Sequence, residues 1–427
     1  MIDTIFAQAT APGKSGVAVI RISGPRAVAG CETLTGPLPE PHRAGLRRIR
    51  RGRDILDTGL IIHFPAGRSF TGEDVVELQL HGSIAVCRAV LDTLSRIEGF
   101  RLAEAGEFTR RALENDTLDL ARVEGLADLI DAETEEQRRQ AQRVFSGVLG
   151  ERVASWRRNL TEAGALVAAT IDFADEDVPA DLMSDVLSRL NAVAADLDRD
   201  LAGAHIAERI RSGFEVAIVG APNVGKSTLL NALARRKAAL TSSMAGTTRD
   251  VIEVHMDLDG LPVTLLDTAG IRETDDPLEA AGIDLARERA ERADIRLHLF
   301  GPGDHAGRDS GPADLVVNTH ADTHPRPGLS VSGVTGFGLD RLTEEVAHRL
   351  RKMTPGDAVV IRDRQAAAMR NAREAIADAM SLIDRNGDAE LVAESISVAG
   401  MSLAALIGRI DVDDLLEEIF SRFCIGK

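Results

Sequence analysis

The segment Gly220-Ala-Pro-Asn-Val-Gly-Lys-Ser227 has the residue types that a loop needs to hold the phosphates of a nucleotide. It follows an apolar stretch, 214–219, typical of a buried strand, and precedes leucines at helical spacing. The glycines let backbone N–H groups turn toward phosphate oxygens, Lys226 can reach the β and γ phosphates, and the Ser227 hydroxyl can bind Mg²⁺. The alternative is an ordinary glycine-rich turn, which does not require lysine and serine here. The predicted phosphate-binding residues are Asn223, Val224, Gly225, Lys226, Ser227 and Thr228.

Two segments downstream have the residues of nucleotide-sensing switches. Gly246-Thr-Thr-Arg-Asp250 offers a hydroxyl from Thr247 or Thr248 for the first switch. An alternating stretch then runs through Asp259-Gly260, a favourable hairpin turn, into a returning strand. That strand ends in Asp267-Thr-Ala-Gly270, which supplies a carboxylate near Mg²⁺ and an N–H for the γ phosphate. Together these spacings predict a GTPase-type phosphate sensor with Asp267, Thr268, Ala269 and Gly270 at the nucleotide.

The candidate for reading the base is Thr319-His-Ala-Asp322, which follows the apolar stretch 315–317. Asp322 can accept paired hydrogen bonds from the Watson–Crick edge of guanine. Asn318 lies one position early, so either the loop is shifted or Thr319 takes that role. His320 stands where such elements usually have lysine, which predicts looser nucleotide binding. Ser332, followed by Gly333, is predicted to back the base with N–H groups.

Residue 271, where Ras-type switch proteins carry a glutamine that orients the attacking water, is an isoleucine. Hydrolysis therefore needs another group to position water. Four nearby carboxylates can do so and are equally consistent with solvated switch residues: Glu273, Asp275, Asp276 and Glu279. Because no arginine finger is visible in the sequence, a cation is the remaining candidate to stabilise developing charge.

The composition is that of a soluble globular protein of 427 residues, 44% hydrophobic and 27% charged, which is long enough for two or three domains. There is no run of eighteen apolar residues and no export signal at the start, which predicts a cytoplasmic protein that does not bind membranes. Three scattered cysteines do not suggest a disulfide framework, and we expect Cys31 and Cys87 to be core thiols.

The net charge of −17 and an aromatic content of 3% oppose strong independent binding to nucleic acid. One local exception is a dense group of arginines that either contacts phosphate or forms a solvated loop or edge hairpin: Arg43, Arg47, Arg48, Arg50, Arg51 and Arg53.

Hydrophobic patterning predicts a multidomain chain that combines α/β and all-α parts. Residues 1–118 are predicted to form an α/β domain, with strands near 17–22 and 75–80 and a helix over 84–97. Apolar stripes at helical spacing over 119–211 and 354–427 predict two parts of a discontinuous helical domain. A nucleotide domain, 212–353, would be inserted between them.

These motifs closely resemble those of the MnmE (TrmE) family of GTPases, and the resemblance runs nearly end to end. Besides the segments above, it rests on Asp3-Thr-Ile5, Arg21-Ile-Ser-Gly24, Phe70-Thr-Gly-Glu-Asp74, Gly106-Glu-Phe-Thr109, Ile171-Asp-Phe173 and Phe423-Cys-Ile-Gly-Lys427. The resemblance implies an N-terminal domain similar to folate-binding domains and a Ras-like GTPase domain inserted in the helical domain.

The resemblance also implies a potassium-dependent GTPase whose nucleotide domains meet across a homodimer. By motif match, the side chains of Asn223 and Thr247 and the carbonyls of Ser242 and Met244 would hold K⁺. Ser227 and Thr248 would hold Mg²⁺, and Glu279 would position the attacking water.

For the N-terminal domain, the resemblance implies a 5-formyl or 5,10-methylene tetrahydrofolate bound at the dimer interface. Arg21, Glu77 and Lys427 match the family's pocket residues, whereas Thr117 stands where a lysine is usual, so one ionic contact is lost. Without the resemblance, the alternative is that Arg21 and Glu77 form an internal ion pair between strands.

In the family, the folate supplies a carbon for a carboxymethylaminomethyl or aminomethyl group at C5 of wobble uridine 34 in tRNA. An MnmG-type flavoprotein partner carries FAD, and much of the tRNA would be held by that partner. Cys424 is a candidate nucleophile or a small buried residue. The alternatives are a non-catalytic GTP switch that scaffolds RNA or ribosome assembly, and a folate-dependent methyltransferase with a regulatory nucleotide domain.

Overall fold

The computed structural model describes residues 3–172, 182–236, 253–267, 288–304, 313–353, 362–408, 420 and 426. These residues form two compact units. The first lies within 1–127 and 404–427, and the second lies within 128–403. The predicted mixture of α/β and all-helical structure is confirmed.

The first unit is built on a six-stranded sheet with strand order β3-β4-β5-β2-β1-β6. Neighbouring strands are antiparallel except for β1 and β6, which are parallel. Its elements are β1 (Thr4–Gln8), β2 (Ser15–Ser23), α1 (Ala27–Thr35), β3 (Gly45–Arg51), β4 (Asp54–Phe64), β5 (Val75–Gly82), α2 (Ile84–Leu94), β6 (Phe100–Leu102) and α3 (Glu107–Glu114), followed by α4 (Leu120–Asp131).

The two faces of this sheet have different cores because side chains alternate along each strand. Ile20 and Ile22 of β2 pack with Leu34 of α1 and Val90 of α2 in one cluster. On the other face, Ile5 and Ala7 of β1 pack with Phe108 of α3 and with Phe70. Arg21 lies between Ile20 and Ile22 in β2, so it projects from the face opposite α1 and α2.

The second unit contains long helices and a five-stranded sheet. Its elements are α5 (Glu135–Phe145), α6 (Val148–Asp172), α7 (Leu182–Ser212), β7 (Phe214–Gly220), α8 (Lys226–Arg236), β8 (Glu253–Leu258), β9 (Leu261–Asp267), β10 (Ile295–Phe300), β11 (Asp314–Asn318), α9 (Leu339–Met353), α10 (Asp363–Asp384) and α11 (Ala389–Ala404). Helix α7 packs against α6 and α10, and its apolar stripe is buried at Val186, Leu190, Val193 and Leu197.

The sheet of this unit has strand order β11-β10-β7-β9-β8, and only β8 runs antiparallel to its neighbour. Strand β7 is central and leads directly into the loop before α8. The predicted Asp-Gly hairpin between β8 and β9 is confirmed, with φ of 59° at Asp259 and 88° at Gly260. Both values suit a type I′ turn, which favours this residue pair.

Several predicted elements are confirmed with shifted ends. The strand predicted over 214–219 continues to Gly220, and the helix that carries the leucines after the phosphate loop begins at Lys226. In the predicted helical segment 354–427, residues 354–361, 409–419, 421–425 and 427 lie outside the described part of the chain. Among the described helices, Ala389–Ile407 is long and apolar enough to cross a membrane, with mean hydropathy of 1.6, a composition shared by core helices of soluble proteins.

Candidate active site

The phosphate loop joins the carboxyl end of β7 to helix α8. Asn223 and Gly225 have φ of 63° and 99°, so the backbone reverses its hand twice within the loop. Such alternation turns successive N–H groups toward one concavity, which is a geometry that binds anions. A Cβ at Gly220 would lie 2.8 Å from the Leu299 carbonyl oxygen, so the close approach of β10 requires glycine there.

Lys226 begins helix α8 and is buried. Its ammonium donates to the carbonyl oxygens of Gly220 at 2.8 Å and Ala221 at 3.0 Å, which holds it over the loop. No carboxylate among the described residues pairs with it. The positive charge therefore adds to that of the helix N-terminus and favours a phosphate ligand.

Ser227 and Asp267 come together because β9 lies beside β7, with Asp267 opposite Ile218. The Ser227 hydroxyl donates to the Asp267 carboxylate at 2.9 Å, and Asp267 is buried. A hydroxyl and one carboxylate are hard oxygen ligands that suit Mg²⁺, which commonly completes its shell with water and nucleotide phosphates. The described residues contain no group of three or more His, Cys, Asp or Glu that could hold a metal ion.

The predicted base loop lies against the same helix. Ala321 N–H donates to the Val331 carbonyl, which ties the loop of Asp322 to the segment that begins at Ser332. A Cβ at Gly333 would lie 2.9 Å from the Thr228 carbonyl oxygen of α8, so this segment approaches the phosphate loop closely. The structure thus brings Asp322 and Ser332 to the end of the sheet that holds Lys226.

Asn318 and Thr319 have different environments. The Asn318 amide donates to the Pro327 carbonyl, whereas Thr319 is buried and its hydroxyl lies 3.2 Å from the Phe300 carbonyl oxygen. Because Asn318 is engaged elsewhere, Thr319 is the better candidate to occupy the first position of the base-reading element. His320, with φ of 57°, and Asp322 are exposed.

Eight of the predicted nucleotide-site residues lie outside the described part of the chain: Ser242, Met244, Thr247, Thr248, Thr268, Ala269, Gly270 and Glu279.

A second polar site lies on the sheet of the first unit. Arg21 of β2 is opposite Glu77 of β5, and the guanidinium donates to the carboxylate at 2.9 Å. The rings of Phe70 and Phe108 lie 5.4 and 5.8 Å from the guanidinium carbon. The Arg21 and Glu77 side chains keep 21% and 16% of their surface exposed, so solvent and ligands can reach them.

The predicted partners of this site are placed in different ways. The Thr117 hydroxyl lies 3.0 Å from the Phe70 carbonyl oxygen and 2.7 Å from that of Ala112, so it supports the segment that carries Phe70. The Gly426 carbonyl oxygen lies 3.5 Å from the Arg21 guanidinium, which brings the end of the chain to the site. Lys427 and Cys424 lie outside the described residues.

Sequence reasoning missed a buried network of charges beneath this site. Arg111 donates to Glu73 at 3.1 Å and to Glu107 at 3.1 Å, and Glu107 also accepts two hydrogen bonds from Arg101. Glu73 accepts a hydrogen bond from Ser23 at 2.7 Å. The motifs Phe70-Thr-Gly-Glu-Asp74 and Gly106-Glu-Phe-Thr109 contain Glu73 and Glu107. The spacing of these motifs did not predict that the two carboxylates share a network of ion pairs.

Three features define a P-loop nucleotide-binding protein of the GTPase type. They are the central strand that leads into the phosphate loop, the Ser227–Asp267 pair and the adjoining base loop. Family models described as "MnmE helical domain" and "GTP-binding protein TrmE N-terminus" match residues 120–424 and 4–117. The chain therefore belongs to the MnmE family of tRNA modification GTPases.

Relatives in this family align over the whole chain. The tRNA modification GTPase MnmE of Cereibacter sphaeroides is 54% identical over 428 residues, which covers 100% of both chains. Those of Roseobacter denitrificans and Paracoccus denitrificans are 51% and 47% identical, again over 100% of both chains. Among solved structures, Aquifex aeolicus Era aligns with 38% of this chain and 66% of its own at 27% identity, with a TM-score of 0.25.

Proposed function

We propose that this chain is a potassium-dependent GTPase that adds a carboxymethylaminomethyl or aminomethyl group to C5 of wobble uridine 34 in tRNA, together with a flavoprotein. The observation that carries the proposal is that one chain has both a phosphate loop with its Ser227–Asp267 pair and a reachable Arg21–Glu77 pair. The phosphate loop suits GTP hydrolysis. The Arg21–Glu77 pair suits a carrier of one-carbon units that has both anionic groups and hydrogen-bond donors.

At the nucleotide site, Ser227 and Thr248 would hold Mg²⁺, which would neutralise negative charge on the phosphates. The side chains of Asn223 and Thr247, with the carbonyls of Ser242 and Met244, would hold K⁺ near the developing charge. The exposed Asn223, fixed by its positive φ at the loop, suits an oxygen ligand of this kind. Glu279 would orient the attacking water, a task that Ile271 cannot perform.

At the second site, Arg21 and Lys427 would bind the anionic tail of a 5-formyl or 5,10-methylene tetrahydrofolate, and Glu77 would accept hydrogen bonds from its pterin ring. An internal ion pair between strands has the same Arg21–Glu77 distance. The partial exposure of both side chains and the two flanking rings support a ligand site. Thr117 supports Phe70 through its carbonyl and adds no charge, so we expect weaker folate binding than with a lysine.

The proposal includes a cytoplasmic homodimer and an MnmG-type flavoprotein that carries FAD and holds most of the tRNA. It retains the division into a folate-binding domain over 1–118, a helical domain over 119–211 and 354–427, and a GTPase domain over 212–353.

The test is nucleoside analysis of tRNA from cells that lack the protein and from the same cells supplied with wild type or Glu279→Ala. We expect the deletion to remove the wobble modification, wild type to restore it and Glu279→Ala to leave it absent while still binding GDP. Normal wobble uridines in the deletion would overturn the proposal and favour a non-catalytic switch.

A further inference from the structure

The β3–β4 hairpin is a basic edge on an acidic protein. Residues 40–58 contain six arginines against three carboxylates, whereas the whole chain has a net charge of −17. Strand β3 is the terminal strand of its sheet, so this charge lies along an edge that no other described strand covers. Arginines at an edge can prevent strand pairing between molecules, but that purpose does not require so many.

Three of the six arginines have no hydrogen-bond or ion-pair partner in the part of the chain that the structure describes. Arg43 and Arg51 pair with Glu40 and Asp54, and Arg47 donates to the Pro37 carbonyl. Arg48, Arg50 and Arg53 are exposed and have no hydrogen-bond or ion-pair partner among the described residues. We call these three residues the arginine edge.

The strand register places Arg48 of the arginine edge on the same face as the second polar site. Arg48 is opposite Thr58 of β4, and Ile62, four residues along β4, is opposite Glu77. Glu77 is in turn opposite Arg21. Residues that are directly opposite share a face, as do residues separated by an even number along a strand. Arg48 therefore projects from the face that carries Arg21 and Glu77.

The separation is short on the scale of a nucleic acid. Two strand spacings and four residues along a strand place Arg48 roughly 16 Å from the Arg21–Glu77 pair. This is about half of one turn of a nucleic-acid duplex, which is ~34 Å long. One polynucleotide can thus contact the edge and present a base near the pair.

We infer that the arginine edge binds the phosphate backbone of tRNA and orients it toward the Arg21–Glu77 site. This inference rests on the proposed function, which supplies tRNA as the substrate. The guanidinium fork matches phosphate oxygens and is weakly hydrated, so arginine suits such contacts better than lysine. A line of unpaired positive charge suits a polyanion whose charge repeats along its length.

The experiment measures binding of a labelled tRNA transcript to the full chain over a salt series, with wild type and Arg48→Gln/Arg50→Gln/Arg53→Gln. Each lost phosphate contact reduces the slope of log K against log salt by about 0.7 to 0.9, so loss of three contacts should reduce the slope by about 2 to 3. At low salt, the apparent Kd should rise roughly 10- to 100-fold.

The matched control is Arg138→Gln/Arg199→Gln/Arg292→Gln, which changes net charge equally. These arginines are 53%, 72% and 76% exposed, and each pairs with a carboxylate three or four residues earlier in the chain. The control should keep the wild-type slope.

Three results would overturn the inference: no tRNA binding by wild type at low salt, equal slopes for all three proteins, or unchanged tRNA binding with loss of the flavoprotein complex. The last result would show that the arginine edge contacts an acidic surface of the flavoprotein and not tRNA. GTP hydrolysis and wobble nucleosides, measured separately with wild type, test the proposed function, so the two failures are distinguishable.

Discussion

Glu107 is the residue on which the charge network of the first unit converges. It is buried at the start of α3 and accepts hydrogen bonds from Arg101, from Arg111 and from the Glu104 N–H. Burial raises the pKa of Glu107, but the hydrogen bonds from Arg101 and Glu104 outweigh it, so the pKa lies below the usual value of 4.5. A carboxyl with a lowered pKa stabilises the fold above its unfolded pKa, and this stabilisation is lost as pH falls through the folded value.

Glu107→Gln should lower the free energy of unfolding at pH 7 by about 2 kcal/mol, because two arginines lose a charged partner. The thermal midpoint of the full chain should fall by roughly 4–8 °C. The difference from wild type should shrink as pH falls below 4.5, where Glu107 itself becomes protonated. Glu114→Gln, at the exposed end of the same helix, is the control and should not differ from wild type. A gap between Glu107→Gln and wild type that stays constant with pH would contradict this role.

At the level of residues, the sequence predicted chemistry that depends on local spacing and missed chemistry that depends on tertiary contact. Lys226 and Ser227 lie in one loop, so a motif identifies them. Arg111 contacts Asp3 across 108 positions, and nothing near either residue indicates the pair. The rings beside Arg21 were likewise invisible, because Phe70 and Phe108 reach it from separate elements.

The hairpin of β8 and β9 is the element that joins the two predicted switch segments, and its turn is held by helix α5. The Gly260 carbonyl accepts a hydrogen bond from the Glu136 N–H at 3.1 Å. That N–H belongs to the first turn of α5, where the helix itself offers no acceptor. Arg351 of α9 donates to the Asp259 carbonyl at 3.0 Å, so two helices fix the turn.

Gly260→Ala should loosen this turn, since an L-residue in the left-handed conformation costs about 1–2 kcal/mol. Hydrogen exchange at the Glu136 N–H should then accelerate roughly 5- to 30-fold, because the turn opens more often. Gly52→Ala imposes similar strain on the β3–β4 turn, at φ of 62°, and should leave Glu136 unchanged. Asp259→Asn keeps a favourable turn pair and should also have little effect. Unaltered exchange in Gly260→Ala would mean that the turn does not depend on glycine.

Elements with strong periodicity were predicted well, whereas the edge hairpin was only one of the alternatives left open for its arginines. The stripe of α7 and the Asp-Gly hairpin have local signals that match their structures. Strand β3 has five charged or glycine positions among its seven residues, so its pattern fits a loop as well as a strand. Its assignment depends on pairing with β4, which is a tertiary property that local sequence does not encode.

At the scale of the whole molecule, the two proposed ligand sites belong to different compact units of one chain, with Arg21 in the first and Lys226 in the second. Each unit has its own core, so damage to one site should leave binding at the other intact. If modification of tRNA requires both chemistries, loss of either site should abolish it.

Lys226→Ala should therefore abolish GTP binding while the Kd for 5-formyl tetrahydrofolate stays within about twofold of wild type, since sites that share no partners act independently. Arg21→Gln should do the reverse and weaken folate binding roughly 10- to 100-fold, the cost of one charge-assisted hydrogen bond. Calorimetry of the two purified variants measures both affinities, and Arg199→Gln, an exposed helix substitution, controls for the loss of a positive charge. In cells without the wild-type protein, neither Lys226→Ala nor Arg21→Gln should restore the wobble uridine modification. If Arg21→Gln restores the modification despite lost folate binding, the folate site of the first unit is not required for the reaction. If Lys226→Ala restores it, GTP hydrolysis is not required.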